Sequence, residues 1–159
     1  AYKYLKEQPY DSGLYLWIMA AIKDMQTLWP DDSYSNYVAD FTTWRMKRLF
    51  SHRFGGRNLC AHSEGIASAY SVLREAEATK MLPLVRDELD YWNRRNSWLQ
   101  VGDTDRIRLK QTASSTVEFV AADNMKLAKG GFLTAQDELL QRIDFTQHCL
   151  SSYVQTLYD

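Results

Sequence analysis

A run of nine apolar residues near the start of the chain, residues 14–22, constrains the fold more than any other feature. It belongs to a longer segment, residues 13–29, whose apolar side chains recur at helical spacing and which Pro30 ends. Because apolar residues cover most of the circumference of this helix, we predict that it is buried on several faces of a layered helical protein. The run is far shorter than the about 20 residues that cross a bilayer, so we predict no membrane insertion.

The same spacing predicts three further helices in the first two thirds of the chain, which makes the protein all-α with stacked antiparallel hairpins. The second helix begins after the capping residues 31–33 and reaches Phe50. The third covers about residues 59–78, with Asn58 as its cap, and the fourth begins near Leu82. No stretch of the chain has the composition of a linker, so these helices belong to a single domain over its whole length.

The clearest helical pattern is the last one, residues 134–157, which Thr134 and Asp137 open as a capping box. Its apolar and polar residues separate into two sides, and we predict that the apolar side faces the core. The predicted core side consists of Leu139, Leu140, Ile143, Thr146, Gln147, Leu150, Tyr153, Val154 and Leu157. The predicted polar side consists of Asp137, Gln141, Asp144, His148, Ser151, Ser152 and Gln155.

The segment between the fourth helix and the last one has a different pattern. Apolar and charged residues alternate over residues 106–110 and again over residues 117–119. Alternation with a period of two favours strands, so we predict a short β-hairpin within residues 105–121. A short helical piece over residues 122–129 then ends at Gly130.

The charge balance excludes some classes of partner. With 19 basic and 20 acidic residues, the net charge is −1, so no overall field attracts nucleic acid or an anionic membrane. One local run is basic, because no acid lies between Asp40 and Glu64. Arg57, in a glycine loop ahead of a helix, is best placed to hold an anionic substrate, although such runs more often form a solvated surface or a docking edge. The aromatic residues in this run fall on the predicted core stripe, so we do not expect nucleic acid as a partner.

The two cysteines, Cys60 and Cys149, are too few for a disulfide framework, and the sequence leaves both one bridge and two free thiols open. With His62 and His148 they could in principle form a zinc site. However, adjacent residues on a helix diverge by ~100°, so His148 and Cys149 would not both reach one ion. We therefore predict no metal and no cofactor, and the compartment stays open.

Three stretches resemble a known superfamily. Residues 56–73, GRNLCAHSEGIASAYSVL, contain an EG-x-x-x-AY helix, and residues 129–132, KGGF, precede residues 142–150, RIDFTQHCL. They resemble parts of the α/α toroids, a superfamily of helical-hairpin barrels that includes glycoside hydrolases, polysaccharide lyases and sugar epimerases. A complete toroid has more helices than this chain supplies. The resemblance therefore implies a partial toroid, either the C-terminal part of a larger enzyme or one piece of a two-chain barrel.

Four residues are candidates for acid–base catalysis. Asp144 and His148 are four residues apart on one helix, where the carboxylate would orient the imidazole. His62 and Glu64 lie on the third helix, where Gly65 would let a neighbouring backbone or a ligand come close. A solvated ion pair on the last helix and a hydrogen-bonded core histidine at His62 are the non-catalytic explanations of the same residues.

The reaction type stays open at this point. A sugar epimerase or isomerase would use such a histidine to move a proton at a sugar carbon, whereas a glycoside hydrolase needs two carboxylates, for which Glu64 and Asp144 are the candidates. Arg142 would lie about 160° from Asp144 around a helix, too far to serve the same small site. The candidate residues for binding a sugar or uronate are Arg57, Asn93, Arg94, Trp98 and Arg142.

Two functional hypotheses follow. In the first, the chain is a segment of a carbohydrate-active enzyme, of the epimerase or isomerase type or of the hydrolase or lyase type. This hypothesis predicts that the polar sides of the third and last helices, with His62 and His148, face one cleft. In the second, the chain is a non-catalytic helical subunit or binding module, whose apolar first helix packs on a partner chain. That hypothesis predicts a large exposed apolar patch.

Overall fold

The computed structural model describes residues 2–50, 56–102, 106–110, 116–120, 128–136 and 138–158. These residues form six helices and two short antiparallel strand pairs, which confirms the predicted, mostly helical fold. The helices are α1 (Tyr2–Glu7), α2 (Tyr15–Leu28), α3 (Ser33–Leu49), α4 (Cys60–Glu75), α5 (Leu82–Ser97) and α6 (Ile143–Tyr158). The strands are β1 (Arg106–Lys110), β2 (Thr116–Val120), β3 (Leu133–Ala135) and β4 (Glu138–Gln141).

The central helix is α4, which packs against α2, α3, α5 and α6. Its contacts with α6 advance in the same direction along both helices, from the hydrogen bond between Glu64 and Ser151 to the one between Ser68 and Gln155. The two helices are therefore parallel.

Helix α2 has the same direction as α4 and α6. The ring of Trp17 lies against the ring of His148, and further along both helices Lys23 donates a hydrogen bond to Gln155. The three helices α2, α4 and α6 thus form a row of parallel helices with α4 in the middle.

Helices α3 and α5 run antiparallel to this row. Tyr15, at the start of α2, bonds to Thr42 in the second half of α3. Asn96, near the end of α5, donates a hydrogen bond to Ser63 near the start of α4. Each helix from α2 to α5 is therefore followed by one of opposite direction.

One apolar core lies among helices α2 to α5. Gly65 permits close packing there, because a Cβ at this position would lie 2.8 Å from the Tyr15 ring and 3.2 Å from the Leu16 Cα. Of the two neighbours that the sequence leaves open for Gly65, a backbone or a ligand, the structure thus contains the backbone of α2. The largest fully buried side chains of this core are Tyr15, Met19, Ile22, Val38, Phe41, Ile66, Val72, Leu73, Val85 and Leu89.

The prediction that the first helix is buried on several faces is wrong. α2 buries Tyr15, Leu16, Met19 and Ile22, whereas the opposite side is open to solvent. The physical reason is that its neighbours α3, α4 and α6 leave the side of α2 opposite these buried residues uncovered. The α2 edge, as we call the open side, consists of Leu14, Trp17 and Leu28, each more than half exposed.

The last helix begins later than predicted. Residues 133–141 form the β3–β4 hairpin, and α6 starts only at Ile143. Thr134 donates its hydroxyl to the carbonyl of Leu140 across the hairpin instead of capping a helix, and its predicted capping partner Asp137 lies outside the described residues. The backbone at the end of β3 pairs with Arg57, which is far away in the sequence. This pairing satisfies backbone N–H and C=O groups that would otherwise bond within a local helix.

The two sides of α6 are also reversed relative to the prediction. Ser152 and Cys149 are buried, whereas Ile143 is 89% and Leu157 82% exposed. The periodicity separates the two sides correctly, but it does not reveal which of them faces the protein. The polar side is buried because it finds hydrogen-bonding partners on α2, α4 and α5. The α6 edge, as we call the open side, consists of Ile143, Leu150, Val154 and Leu157.

The predicted hairpin within residues 105–121 is confirmed, since β1 and β2 pair antiparallel with Arg106 opposite Val120 and Lys110 opposite Thr116. The predicted helical piece over residues 122–129 lies almost wholly outside the described residues. Among the helices that are described, none combines the length and the hydropathy that crossing a bilayer requires.

Candidate functional site

The side chains of Glu64 on α4 and His148 on α6 meet at the interface between the two helices. The Glu64 Oε2 atom lies 2.6 Å from the His148 Nδ1 atom, and the Ser151 hydroxyl donates a 2.5 Å hydrogen bond to the other oxygen, Oε1. The side chains of His148 and Glu64 are only 13% and 17% exposed, so water screens their interaction less than that of a surface pair. Because Glu64 occupies Nδ1, a ligand that exchanges a proton with this ring would do so at Nε2.

Further hydrogen bonds continue this line of polar groups along α6. The Gln155 amide donates to the Ser151 hydroxyl over 3.3 Å, and its oxygen accepts from Ser68 on α4 and from Lys23 on α2. These bonds tie three helices together and supply the partners that let α6 bury its polar side. We call this line the polar seam; it consists of Lys23, Glu64, Ser68, His148, Ser151 and Gln155.

A disulfide bond joins the two helices next to this acid–base pair. Cys60, one turn before Glu64, is bonded to Cys149, which directly follows His148. Of the two states that the sequence leaves open, the structure thus contains the bridge. Asn58, the predicted cap, lies one residue before the N-cap of α4, which is Leu59 and has no side-chain cap. Its side chain accepts a hydrogen bond from the Cys60 amide and donates one to the Leu133 carbonyl, and so it still fixes this end of α4.

The exposed aromatic ring beside this pair is Trp17, on α2. Its ring and that of His148 have centroids 6.1 Å apart at an interplanar angle of 74°. The sequence places Trp17 in the apolar stripe of the first helix, where nothing distinguishes it from a core residue. Only the packing of α2 next to α6 brings it to the acid–base pair.

His62 lies in the core, away from the polar seam. Its Nε2 atom is 3.6 Å from Oε1 of Glu88, and the same oxygen accepts a 2.7 Å hydrogen bond from the Trp92 indole. His62 also contacts the rings of Tyr15 and Trp92. His62 and His148 therefore do not face one cleft, contrary to the expectation of the first hypothesis, whereas Glu64 and His148 do meet.

The predicted pairing of Asp144 with His148 is wrong. The acid that contacts His148 is Glu64, and Asp144 accepts two hydrogen bonds from Arg142, of 3.0 and 2.7 Å. Arg142 precedes the first residue of α6, so the expected angle of about 160° on a helix does not apply to it. The hydrogen bonds from the Arg142 guanidinium lower the pKa of the exposed Asp144 carboxyl.

The predicted binding residues do not converge on the seam as a group. Asn93 is buried and joins α5 to α6, since it accepts a hydrogen bond from Ser152 and donates one to Thr156. Arg94 and Trp98 are exposed near the end of α5, and Arg57 is exposed on its bridge to β3. Of these candidates on α5 and just after it, Asn93 thus makes an interior contact, whereas Arg94 and Trp98 lie on the outer surface.

The chain matches no protein-family model, and it matches neither a curated protein nor a solved structure. Its function therefore has to be argued from the site. The seam offers an imidazole that a carboxylate orients, at the rim of the protein, beside an exposed indole. Such an arrangement suits general acid–base chemistry on a ligand that rests against the aromatic ring.

Proposed function

We propose that this chain is a segment of a carbohydrate-active enzyme of the α/α toroid type, in which His148 moves a proton on a sugar or uronate. The observation that carries the proposal is the hydrogen bond between Glu64 and His148. A carboxylate at Nδ1 selects the tautomer whose Nε2 accepts a proton, and it stabilises the imidazolium that forms. Ser151 holds the second oxygen of Glu64 and so fixes the carboxylate itself.

The hydrogen bonds of the two carboxyl groups favour proton transfer over glycosidic hydrolysis. A hydrolase needs one carboxyl group to protonate the leaving group and a second to act on the opposite side of the bond. Both oxygens of Glu64 are engaged by His148 and Ser151, and Asp144 is engaged by Arg142. An isomerase needs a single base of the kind that His148 provides, and an epimerase needs in addition a proton donor on the opposite face of the sugar carbon.

In this reaction His148 Nε2 removes a proton from a sugar carbon next to a carbonyl or carboxyl group. The electron pair of the broken C–H bond moves toward that oxygen. In an isomerisation His148 then returns the proton to the neighbouring carbon on the same face, whereas an epimerisation takes its proton from a second donor, such as water, on the opposite face of the same carbon. No oxidant or reductant is consumed. General acid–base catalysis of this kind contributes typically about 10²–10⁴-fold to the rate.

The helix row supports the toroid part of the proposal. α2, α4 and α6 are parallel, and α2 and α6 each expose apolar side chains, at the α2 edge and the α6 edge. Burying a side chain such as Ile143 or Leu157 stabilises a protein by about 1.5–3 kcal/mol. In a closed barrel further parallel helices would continue the row on both sides and cover these two edges.

The test is hydrogen exchange at carbon. The protein is incubated in D₂O with a panel of sugars and uronates, and loss of a carbon-bound proton is followed by NMR. We expect exchange with at least one of them, reduced about 10²–10⁴-fold in His148→Gln and less in Glu64→Gln. Gln147→Ala and Glu75→Gln are matched controls, since both residues are exposed on the same two helices. Exchange that persists in His148→Gln, or that no sugar undergoes, would overturn the proposal.

The alternative is a non-catalytic helical subunit or binding module, and the two exposed apolar edges favour it. Under this alternative a partner chain packs on the α2 edge, as proposed from the sequence, and on the α6 edge that the structure adds. Sedimentation velocity of the wild-type chain and of Leu150→Glu tests it for association with a second copy. An oligomer that the charge dissociates, together with no carbon-proton exchange, would support the module over the enzyme.

A further inference from the structure

The polar seam contains a chain of hydrogen bonds that begins at a group able only to donate. The Lys23 ammonium donates to the Gln155 Oε1 atom over 2.9 Å, and the Gln155 Nε2 atom lies 3.3 Å from the Ser151 hydroxyl. That hydroxyl is 2.5 Å from Oε1 of Glu64, whose other oxygen contacts His148. Lys23, on α2, is thus connected to the acid–base pair through two side chains of α6.

The direction of each bond in this chain follows from the chemistry of its first member. An ammonium has three donors and no acceptor, so the part of the Gln155 amide that faces Lys23 must be its oxygen. The NH2 group of the amide then faces Ser151 and donates to it. Because Ser151 accepts from Gln155, the single proton of its hydroxyl is directed to Glu64. Ser68 does not set this direction, since its hydroxyl can either donate or accept.

We propose that Lys23 is a positioning residue for the acid–base pair, a role that rests on the proposed function of His148. By fixing the Gln155 amide, Lys23 directs the Ser151 proton to Glu64, so that both oxygens of the carboxylate are held. With the amide reversed, Gln155 would present its oxygen to Ser151 and take that proton. One oxygen of Glu64 would then lose its donor, and the carboxylate could rotate about its terminal torsion away from the imidazole.

The rival explanation is that Lys23 only ties α2 to α6. The two explanations differ for Lys23→Glu, because a glutamate can still bond to Gln155, but only by accepting from its NH2 group. Such a bond keeps the tie between the helices and reverses the amide. Lys23→Gln is the matched control, since it has the same length and shape and can still donate. Lys23→Met loses both the tie and the direction.

The first measurement is the lifetime of the His148 Nδ1 proton in the protein without substrate, by NMR exchange with water, with His148→Gln to assign the signal. We expect Lys23→Glu and Lys23→Met to shorten this lifetime about tenfold, the effect of one lost hydrogen bond to a charged group, and Lys23→Gln to stay within about threefold of wild type. Working in about 1 M NaCl, where the Debye length is about 3 Å, screens the change of charge. Lys47→Met, which removes an exposed lysine of α3, controls for the lost charge.

The second measurement is carbon-proton exchange with a sugar that wild type accepts. Because Lys23 acts through two other side chains, Lys23→Glu and Lys23→Met should lower kcat about tenfold and leave KM nearly unchanged. Equal lifetimes of the Nδ1 proton in Lys23→Gln and Lys23→Glu would overturn the positioning role and show that Lys23 is only a tie between the helices. The lifetime needs no substrate, so it decides the role of Lys23 even when wild type exchanges no sugar proton, a result that overturns the proposed function.

Discussion

Glu64 and His148 are 84 residues apart in the chain, yet the Glu64 Oε2 atom lies 2.6 Å from the His148 Nδ1 atom. Three features hold the two side chains together: the parallel packing of α4 and α6, the Ser151 hydroxyl on the second carboxylate oxygen, and the nearby bridge between Cys60 and Cys149. The pair is thus oriented before any ligand binds, which is what general acid–base catalysis requires.

The disulfide bond should contribute strongly to stability. Replacing Cys60 and Cys149 together by serine should lower the free energy of unfolding by about 2–5 kcal/mol, because the bridge restricts the unfolded chain. Urea denaturation measures the loss. Mass spectrometry after alkylation of the unreduced, unfolded chain should find neither cysteine labelled, and labelling of both would contradict the bridge.

A methyl group at Gly65 should destabilise the protein. Gly65→Ala gains about 1 kcal/mol of helix propensity, but its Cβ would lie 2.8 Å from the Tyr15 ring and 3.2 Å from the Leu16 backbone. Since overpacking of this kind costs typically about 1–3 kcal/mol, we expect a net loss in thermal denaturation. Gly102→Ala is the control, because an added Cβ there meets nothing within 4 Å. Equal melting temperatures of Gly65→Ala and wild type would contradict the close approach of α2.

The reversed sides of α6 predict an unusual pattern of mutational effects. Ile143→Gln and Leu157→Gln should change the free energy of unfolding by less than about 0.5 kcal/mol, because both side chains are exposed. Ser152→Leu should cost about 1–3 kcal/mol or more, since the larger side chain must fit a fully buried site and the Asn93 oxygen loses its donor. Chemical denaturation of the three variants measures these free energies of unfolding. A larger loss in Ile143→Gln and Leu157→Gln than in Ser152→Leu would mean that the apolar side of α6 faces inward.

Two tyrosines should resist ionisation at alkaline pH. Burial raises the pKa of Tyr153 to about 12 and raises that of Tyr15 further still. Because the pKa is higher in the folded state than the value of about 10 in an unfolded chain, this contribution to stability is complete below pH 10 and falls as the pH rises toward 12. Absorbance at 295 nm should show a late phase near pH 12 that Tyr153→Phe removes. Its persistence in that variant would show that another tyrosine causes it.

Much of the secondary structure could be predicted from the sequence, because it depends on neighbours in the chain. The spacing of apolar residues locates α2 to α5, and the alternation over residues 106–110 locates a strand. The sequence also places Asn58 at the start of α4, although the N-cap itself is Leu59. The β3–β4 hairpin escapes such reasoning, because its backbone is partly satisfied by residues 56–57, far away in sequence.

For the candidate site the sequence determined less. It singled out Glu64 and His148 as residues able to exchange protons, but it paired His148 with Asp144, the nearest acid at helical spacing. The packing of the helices makes Glu64 the partner of His148, buries His62 in the core and brings Trp17 beside the imidazole, and none of these contacts follows from local spacing. The physical reason is that local spacing fixes which side chains share one side of a helix, whereas the side that is buried depends on what the neighbouring helices offer it. Lys23, Ser68 and Asn93 offer hydrogen bonds to α6, and its polar side therefore turns inward.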